Sequence, residues 1–293
     1  MIMMKDKNLS MTTGLILLLV IGIGIFYFKS RPSEKNGSQI DKEYINKIVI
    51  ESSQEKIILK KNGGWVIESS NNIPANSSKV DLLLDSLKEI NRSELVSKNP
   101  DNFPEYGIND QSPKIILYQN EKEFEVVVGD ISFNRAGNFV KYKNGQVHLI
   151  SSYLKNRIED TVWENRSVFS FIPSSVQSLS IEYKDKNQEF IKEDDQWQTD
   201  IKVNLENIDK FLSKLTSLTA INIFTLEEKG EEFETQDKIK VTLKIEDKNT
   251  IFYCGKNSQL LKREDSPFIY EINSSDKAEV YDLIKNITPA YFL

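Results

Sequence analysis

Two stretches of the chain carry the same apolar spacing. Val80, Leu83, Leu84, Leu87 and Ile90 recur at intervals of three and four residues, and Ile208, Phe211, Leu212, Leu215 and Leu218 do the same, each 128 residues after its counterpart. Side chains three and four apart share one face of an α-helix, so each set predicts an amphipathic helix with a buried stripe. Asn76 and Asn204, also 128 apart, stand four residues before the first apolar position. An asparagine there accepts a hydrogen bond from an orphan N–H of the first turn.

Around each predicted helix the apolar period drops to two. Phe124, Val126 and Val128 alternate with Glu123, Glu125 and Val127, which predicts a strand. Before each helix, two strand-like runs lead to a tryptophan: 47–51 and 56–60 with Trp65, then 179–183 and 189–192 with Trp197. After each helix a hairpin pattern ends in a glycine, Gly129 or Gly255. A further strand follows at 138–142 or 268–272, then a closing helix at 151–158 or 275–287. Short strands in hairpins with two helices per copy predict the α+β class, not a parallel βαβ sheet. The self-similarity predicts two similar units of antiparallel strands, residues 44–172 and 173–293, with the boundary near Pro173. Trp65 and Trp197 recur at matching places, which fits a shared core role better than a ligand platform.

A third pattern fills residues 9–28. Leu15, Leu17, Leu18, Leu19, Ile21, Ile23, Ile25 and Phe26 lie in a run without a single charge. As a helix rising about 1.5 Å per residue it would span roughly 30 Å, the thickness of a bilayer core. Tyr27 stands at its end, where an amphipathic ring suits the interface. No small-residue cleavage site follows, so the run predicts an uncleaved N-terminal transmembrane helix, with residues 1–8 in the cytoplasm. Residues 29–43 are polar, carry Pro32 and Gly37, and read as a tether. The expected location is the inner (cytoplasmic) membrane, single-pass, with the soluble part extracytoplasmic, periplasmic or external.

Composition narrows the chemistry. Hydrophobic residues are 39% of the chain and charged residues 28%, enough apolar material for real cores. The net charge is -6 and no Lys/Arg stripe offsets it, which argues against nucleic acid as a partner. With one cysteine, Cys254, and one histidine, His148, the usual His- and Cys-based metal sites and triads have almost no material. The chain has no G-x-S-x-G elbow, phosphate loop or H-E-x-x-H, and the expectation is no cofactor, no metal and no catalytic residue. Asp130, Ser132 and Asn134 begin like a calcium loop but lack its glycine and its final glutamate. The densest charge cluster, 227–234, reads as a solvated loop, or through Glu231 and Glu232 as a docking surface for a basic partner.

Several short motifs resemble one family. Gly63-Gly64-Trp65 forms a turn after two strands, 74–90 a capped helix, and 103–108 with Pro113 a Tyr106-Gly107 turn before a strand. Gly129-Asp130, 138–141 and the closing segment 163–169 complete the pattern. On these residues the chain resembles the domain of unknown function 4340 family, over about 45–170 and more loosely 175–290, as two tandem copies. The second copy departs from the pattern, with Glu234 in place of Gly107 and Ile239 in place of Pro113. Members of that family commonly sit beside ABC transporter components associated with gliding motility. The resemblance implies a non-enzymatic accessory or interaction protein, with transporter permease and ATPase components as partners besides the membrane. Tyr106, Gly107, Asp130, Glu231 and Glu232 are the candidate interaction loops. An envelope ligand- or glycan-binding module and a carboxylate-based hydrolase are the alternatives.

Overall fold

A computed structural model of the chain describes residues 40–159 and 162–293. The expected anchor, 9–28, and residues 29–39 of the expected tether lie outside the described residues. Among the described residues no helix is long and apolar enough to cross a membrane.

The described chain is α+β, with two antiparallel sheets. In the first, β1 (Ile45–Glu51), β2 (Lys56–Lys61), β3 (Trp65–Ile67) and β4 (Ile73–Pro74) precede helix α1 (Ser77–Lys88). Then come β5 (Glu94–Ser97), β6 (Lys114–Gln119), β7 (Lys122–Ile131), β8 (Asn138–Tyr142), β9 (Val147–Ile150) and the short helix α2 (Leu154–Ile158). The second sheet has β10 (Val176–Tyr183), β11 (Lys186–Glu193) and β12 (Gln196–Gln198) before helix α3 (Glu206–Ser217). It continues with β13 (Ala220–Thr225), helix α4 (Leu226–Glu234), β14 (Lys238–Ile245), β15 (Lys248–Gly255), β16 (Leu260–Arg263), β17 (Phe268–Ile272) and helix α5 (Ser274–Ile287).

The strand orders correspond. The first sheet runs β4-β3-β2-β1-β6-β7-β8-β9-β5 and the second β12-β11-β10-β14-β15-β16-β17-β13. Apart from the two-residue β4, every strand of one has a counterpart at the same place in the other. The irregularities correspond as well. A bulge interrupts β1–β6 between Ile45 and Lys47, and another interrupts β10–β14 between Val176 and Ser178. A 3₁₀ turn precedes each first strand, Lys42–Tyr44 and Pro173–Ser175.

One face of each sheet is closed by helices. Val80, Leu83, Leu84 and Leu87 of α1 are buried against Ile48, Ile50, Leu59, Ile115 and Leu117. Ile208, Phe211, Leu212 and Leu215 of α3 are buried with Leu179, Ile181, Phe190 and Phe252. Asn76 caps α1 by accepting from Lys79 N at 3.1 Å. Asn204 sits one residue further out than expected. Leu205 takes the N-cap position without a side-chain bond, and Asn204 Oδ1 accepts from Glu206 N at 3.1 Å.

The opposite face of each sheet is covered by a single connecting segment. In the first it is a 3₁₀ stretch, Pro100–Tyr106, over Val127 and Val147. In the second it is α4, whose Phe233 packs on Tyr253, Leu260 and Ile269. This helix corrects the reading of 227–234 as a loop. Thr225 and Glu228 form a reciprocal capping box, and that pairing starts the helix despite its acid content.

Residues 40–43, the end of the expected tether, pack on the first sheet's helix layer. Ile40 is buried, and Asn91 holds its backbone from both sides: Ile40 N donates to Asn91 Oδ1, and Asn91 Nδ2 to Ile40 O, each at 2.9 Å. Lys42 pairs with Asp85 at 3.0 Å.

Residues 163–169 join the two halves. Asn76 N donates to Trp163 O and Asn165 N to Pro74 O, at 2.8 and 2.7 Å. Three residues on, Val168 N donates to Leu218 O, and Ala220 N donates to Arg166 O at 2.8 Å. Ile73 of the first sheet is buried in the second sheet's core.

Leu84 and Leu212 lie at the centres of their apolar stripes. Truncating either to Ala removes buried methyl groups that the surrounding strands cannot replace. The expected loss is about 2–5 kcal/mol for each, read as a lower midpoint in urea unfolding.

Candidate functional site

Three of the candidate interaction residues meet at one place. Gly107 closes the 3₁₀ stretch in the left-handed conformation, at φ 66° and ψ 27°. A Cβ there would stand 2.2 Å from the Asp130 carboxylate, and one on Gly129 would stand 2.3 Å from Tyr106 O. The Tyr106-Gly107 turn and the Gly129-Asp130 pair therefore fit together only because each supplies a bare backbone. Tyr106 packs its ring on Phe139, centroids 4.8 Å apart. Asp130 reaches across to Lys155 of α2 at 2.7 Å. This assembly closes the second face of the sheet, and only Asp130 is strongly exposed.

Glu231 and Glu232 stand on the segment at the equivalent place of the second sheet. They are exposed on α4, in its second half. Glu232 pairs with Lys229 at 2.6 Å, and Glu234 with Lys238 at 2.6 Å. Glu228 is spent on the cap, and its bonds to the Thr225 backbone and side chain hold its carboxyl below the usual range. Lys141 lies 5.1 Å above the Phe103 ring, and Lys262 lies 4.0 Å from Glu234. Each sheet thus sets a lysine under its covering segment, one against an aromatic ring and one against a carboxylate.

A polar chain that the sequence did not suggest runs beneath the edge strand β5. Tyr142 Oη donates to Ser93 Oγ at 2.8 Å, and Ser93 Oγ lies 3.1 Å from His148 Nδ1. His148 Nε2 lies 3.3 Å from Gln146 Oε1, and the Tyr142 and His148 rings meet at a tilt of 45° with centroids 4.6 Å apart. One tautomer satisfies every member: Nε2–H donates to Gln146 and Nδ1 accepts from Ser93. His148 is buried, and that burial pushes its pKa below the ordinary value. The order Ser–His–amide resembles a nucleophile relay, but the serine hydroxyl is engaged on both sides. These bonds tie the residue before β5 to β8 and β9. Spacing could not have exposed them, because Ser93 and His148 are 55 residues apart.

Cys254 offers no reactive thiol. Burial pushes its pKa up to about 12, so the thiolate is absent near neutral pH. Beside it, between α5 and β16, is a partly open hollow of about 10 Å³, room for one water at most. A wider groove of about 340 Å³ lies along Ile40, Asp41, Lys88, Glu89, Asn91 and Arg92, open to solvent and of mixed polarity. Among the described residues no three of His, Cys, Asp and Glu are grouped so as to hold a metal ion.

A family model, Domain of unknown function (DUF4340), matches residues 65–232. The chain belongs to the DUF4340 family. The match begins at Trp65 on β3, crosses Pro173 and ends on α4 at Glu232, so one continuous DUF4340 match spans parts of both sheets. No curated protein and no solved structure matches the chain.

Two outcomes follow from this geometry. Gly107→Ala combines a left-handed φ with a collision on Asp130, whereas Gly145→Ala at φ 78° meets nothing within 4 Å. Gly107→Ala should therefore be the more destabilising by roughly 1 kcal/mol or more in urea unfolding, and adding Asp130→Ala should restore part of the loss. For His148 the folded pKa lies below the unfolded value of 6.5, so the unfolded state takes up the proton first. Its contribution is full above that pH and is lost as pH falls from there through the folded value. Melting temperatures recorded as pH falls below 6.5 should drop less steeply for His148→Gln than for the parent.

Proposed function

We propose that this DUF4340 protein is a membrane-anchored, extracytoplasmic accessory protein without enzymatic activity, a partner of an ABC-type transport or motility complex. The observation that carries this reading is the uncharged apolar run at 9–28, followed by an acidic soluble part. The association with transporter components is the one the family resemblance implies.

Two features of the soluble part support a binding role over catalysis. The polar groups with the most chemistry, Ser93, His148 and Tyr142, are used up on one another. In contrast, Glu231 and Glu232 sit exposed near the C-terminal end of α4, where the helix dipole disfavours negative charge. Acids kept in an unfavourable place suit an external basic partner. We also read the two units as tandem copies of one ancestral unit. The shared strand order, the matching bulges and the 128-residue spacing of the helix stripes support that reading.

Topology is tested with Ser38→Cys in a Cys254→Ala background. The expected result is labelling by a membrane-impermeant thiol reagent in intact cells. Labelling only after lysis would reverse the orientation and remove the extracytoplasmic role. For the partner surface, Glu231→Lys with Glu232→Lys should leave the melting temperature nearly unchanged, since exposed pairs contribute little. Co-purification with permease and ATPase components should be lost. Intact co-purification would move the contact away from α4.

A further inference from the structure

The turn between β7 and β8 is rigid, yet it holds its largest apolar side chain entirely in solvent. Ser132 is buried, and its Oγ accepts from Ala136 N at 3.0 Å and Gly137 N at 3.3 Å while donating to Asn134 Oδ1 at 2.9 Å. Arg135 adopts a left-handed φ of 57°, and its carbonyl accepts from Tyr153 Oη at 2.8 Å. At the base of the turn Asn138 is fully buried, donating to Gly129 O and accepting from Lys155 N. This framework presents Phe133 with a relative exposure of 106%, flanked by the exposed Ile131 and Tyr153.

The position of the turn narrows what it touches. Ser151, two residues before Tyr153, donates to Glu89 Oε2 at 2.9 Å. Glu89 opens the 3₁₀ turn that carries Asn91, and Asn91 grips Ile40. A path of hydrogen bonds thus runs from the segment of Tyr153, which holds the turn at Arg135, to Ile40. Eleven residues, 29–39, separate that point from the apolar run, and even fully extended they span at most about 40 Å. On the anchor reading, Ile40 stays within about 40 Å of the bilayer.

The patch has the wrong form for a folded protein partner. It is a convex tip of three side chains, whereas a specific protein interface needs roughly 800 Å² on each side. A lipid interface deforms around a tip. It also favours this mixture: Phe and Ile for the acyl boundary, Tyr for the headgroup level, and the exposed Arg135 for phosphates.

We propose that the β7–β8 turn is a membrane wedge, seating Phe133 in the lipid interface beside the chain's own anchor. The wedge rests on the anchor reading and fixes the orientation of the first unit on the bilayer.

The test uses the full chain in a Cys254→Ala background, reconstituted in vesicles of phosphatidylcholine and phosphatidylglycerol. An environment-sensitive fluorophore is attached at Phe133→Cys, and in separate preparations at Tyr291→Cys and Ser38→Cys. The expected result is a blue shift at position 133 and loss of emission when spin-labelled lipids are included, with neither at position 291. Loss of emission at position 38 but not at 133 overturns the wedge while leaving the anchor standing. A chain that does not partition with the vesicles overturns the anchor, and the wedge with it. If the 133 probe is unquenched in vesicles while Phe133→Ser abolishes co-purification with transporter components, the tip contacts protein and the proposal falls. Phe133→Ser should not lower the melting temperature, because the side chain makes no burial in the fold.

Discussion

An antiparallel sheet presents two faces, and the apolar side chains on both must be removed from water. Here the helix-side face of each sheet is dominated by one stripe, Val80 to Leu87 in the first unit and Ile208 to Leu215 in the second. Once that stripe is seated, the remaining elements have defined tasks. The closing helix fills the flank of the same layer, and a connecting segment must cross to the other face. The first unit makes that crossing with a tight 3₁₀ stretch and the second with a capped helix. The difference traces to a few residues. Pro104 and Gly107 exclude a regular helix in one, while Thr225 and Glu228 start one in the other.

The crossing explains why the two strand-end glycines are placed alike. Gly129 and Gly255 both lie where the chain from the covering segment passes close to a strand. A side chain on Gly129 would meet Tyr106 O, and one on Gly255 would meet Ser258 and Gln236. The family motif around Tyr106, Gly107 and Gly129-Asp130 is thus a record of close backbone approach. These residues are also the candidate interaction loop of the first unit. The structure places it in the covering layer, with Asp130 bonded back to Lys155.

Periodic features were legible in the sequence and isolated ones were not. Both apolar stripes, the Asn76 cap, the hairpins ending at Gly129 and Gly255, and the α+β class all follow from repeated spacing. The strands flanking the helices, β5 and β13, escaped notice because edge strands bury too little to alternate: Leu95, Val96 and Ile221 are exposed. Helix α4 was hidden by its charges, although its capping box was visible at Thr225 and Glu228. The Ser93–His148 chain depends on register across the sheet, and no local pattern encodes it. Among the candidate residues, Tyr106, Gly107 and Asp130 proved to be neighbours, while Glu231 and Glu232 occupy the matching place on the other sheet.

Val168 lies 128 residues after Ile40, and Thr219 the same distance after Asn91. In the second unit the slot alongside Leu218 and Thr219 receives the tail of the first unit, through Val168 N to Leu218 O and a bridge between Ser167 and Thr219. In the first unit the matching slot receives Ile40 through Asn91. Tension along the chain therefore enters each unit by the same route. A pull arriving from the residues before Ile40 loads one side chain's two hydrogen bonds before it loads any strand pair. Detaching Ile40 breaks two hydrogen bonds to one side chain, whereas detaching β1 breaks a ladder on each of its two sides.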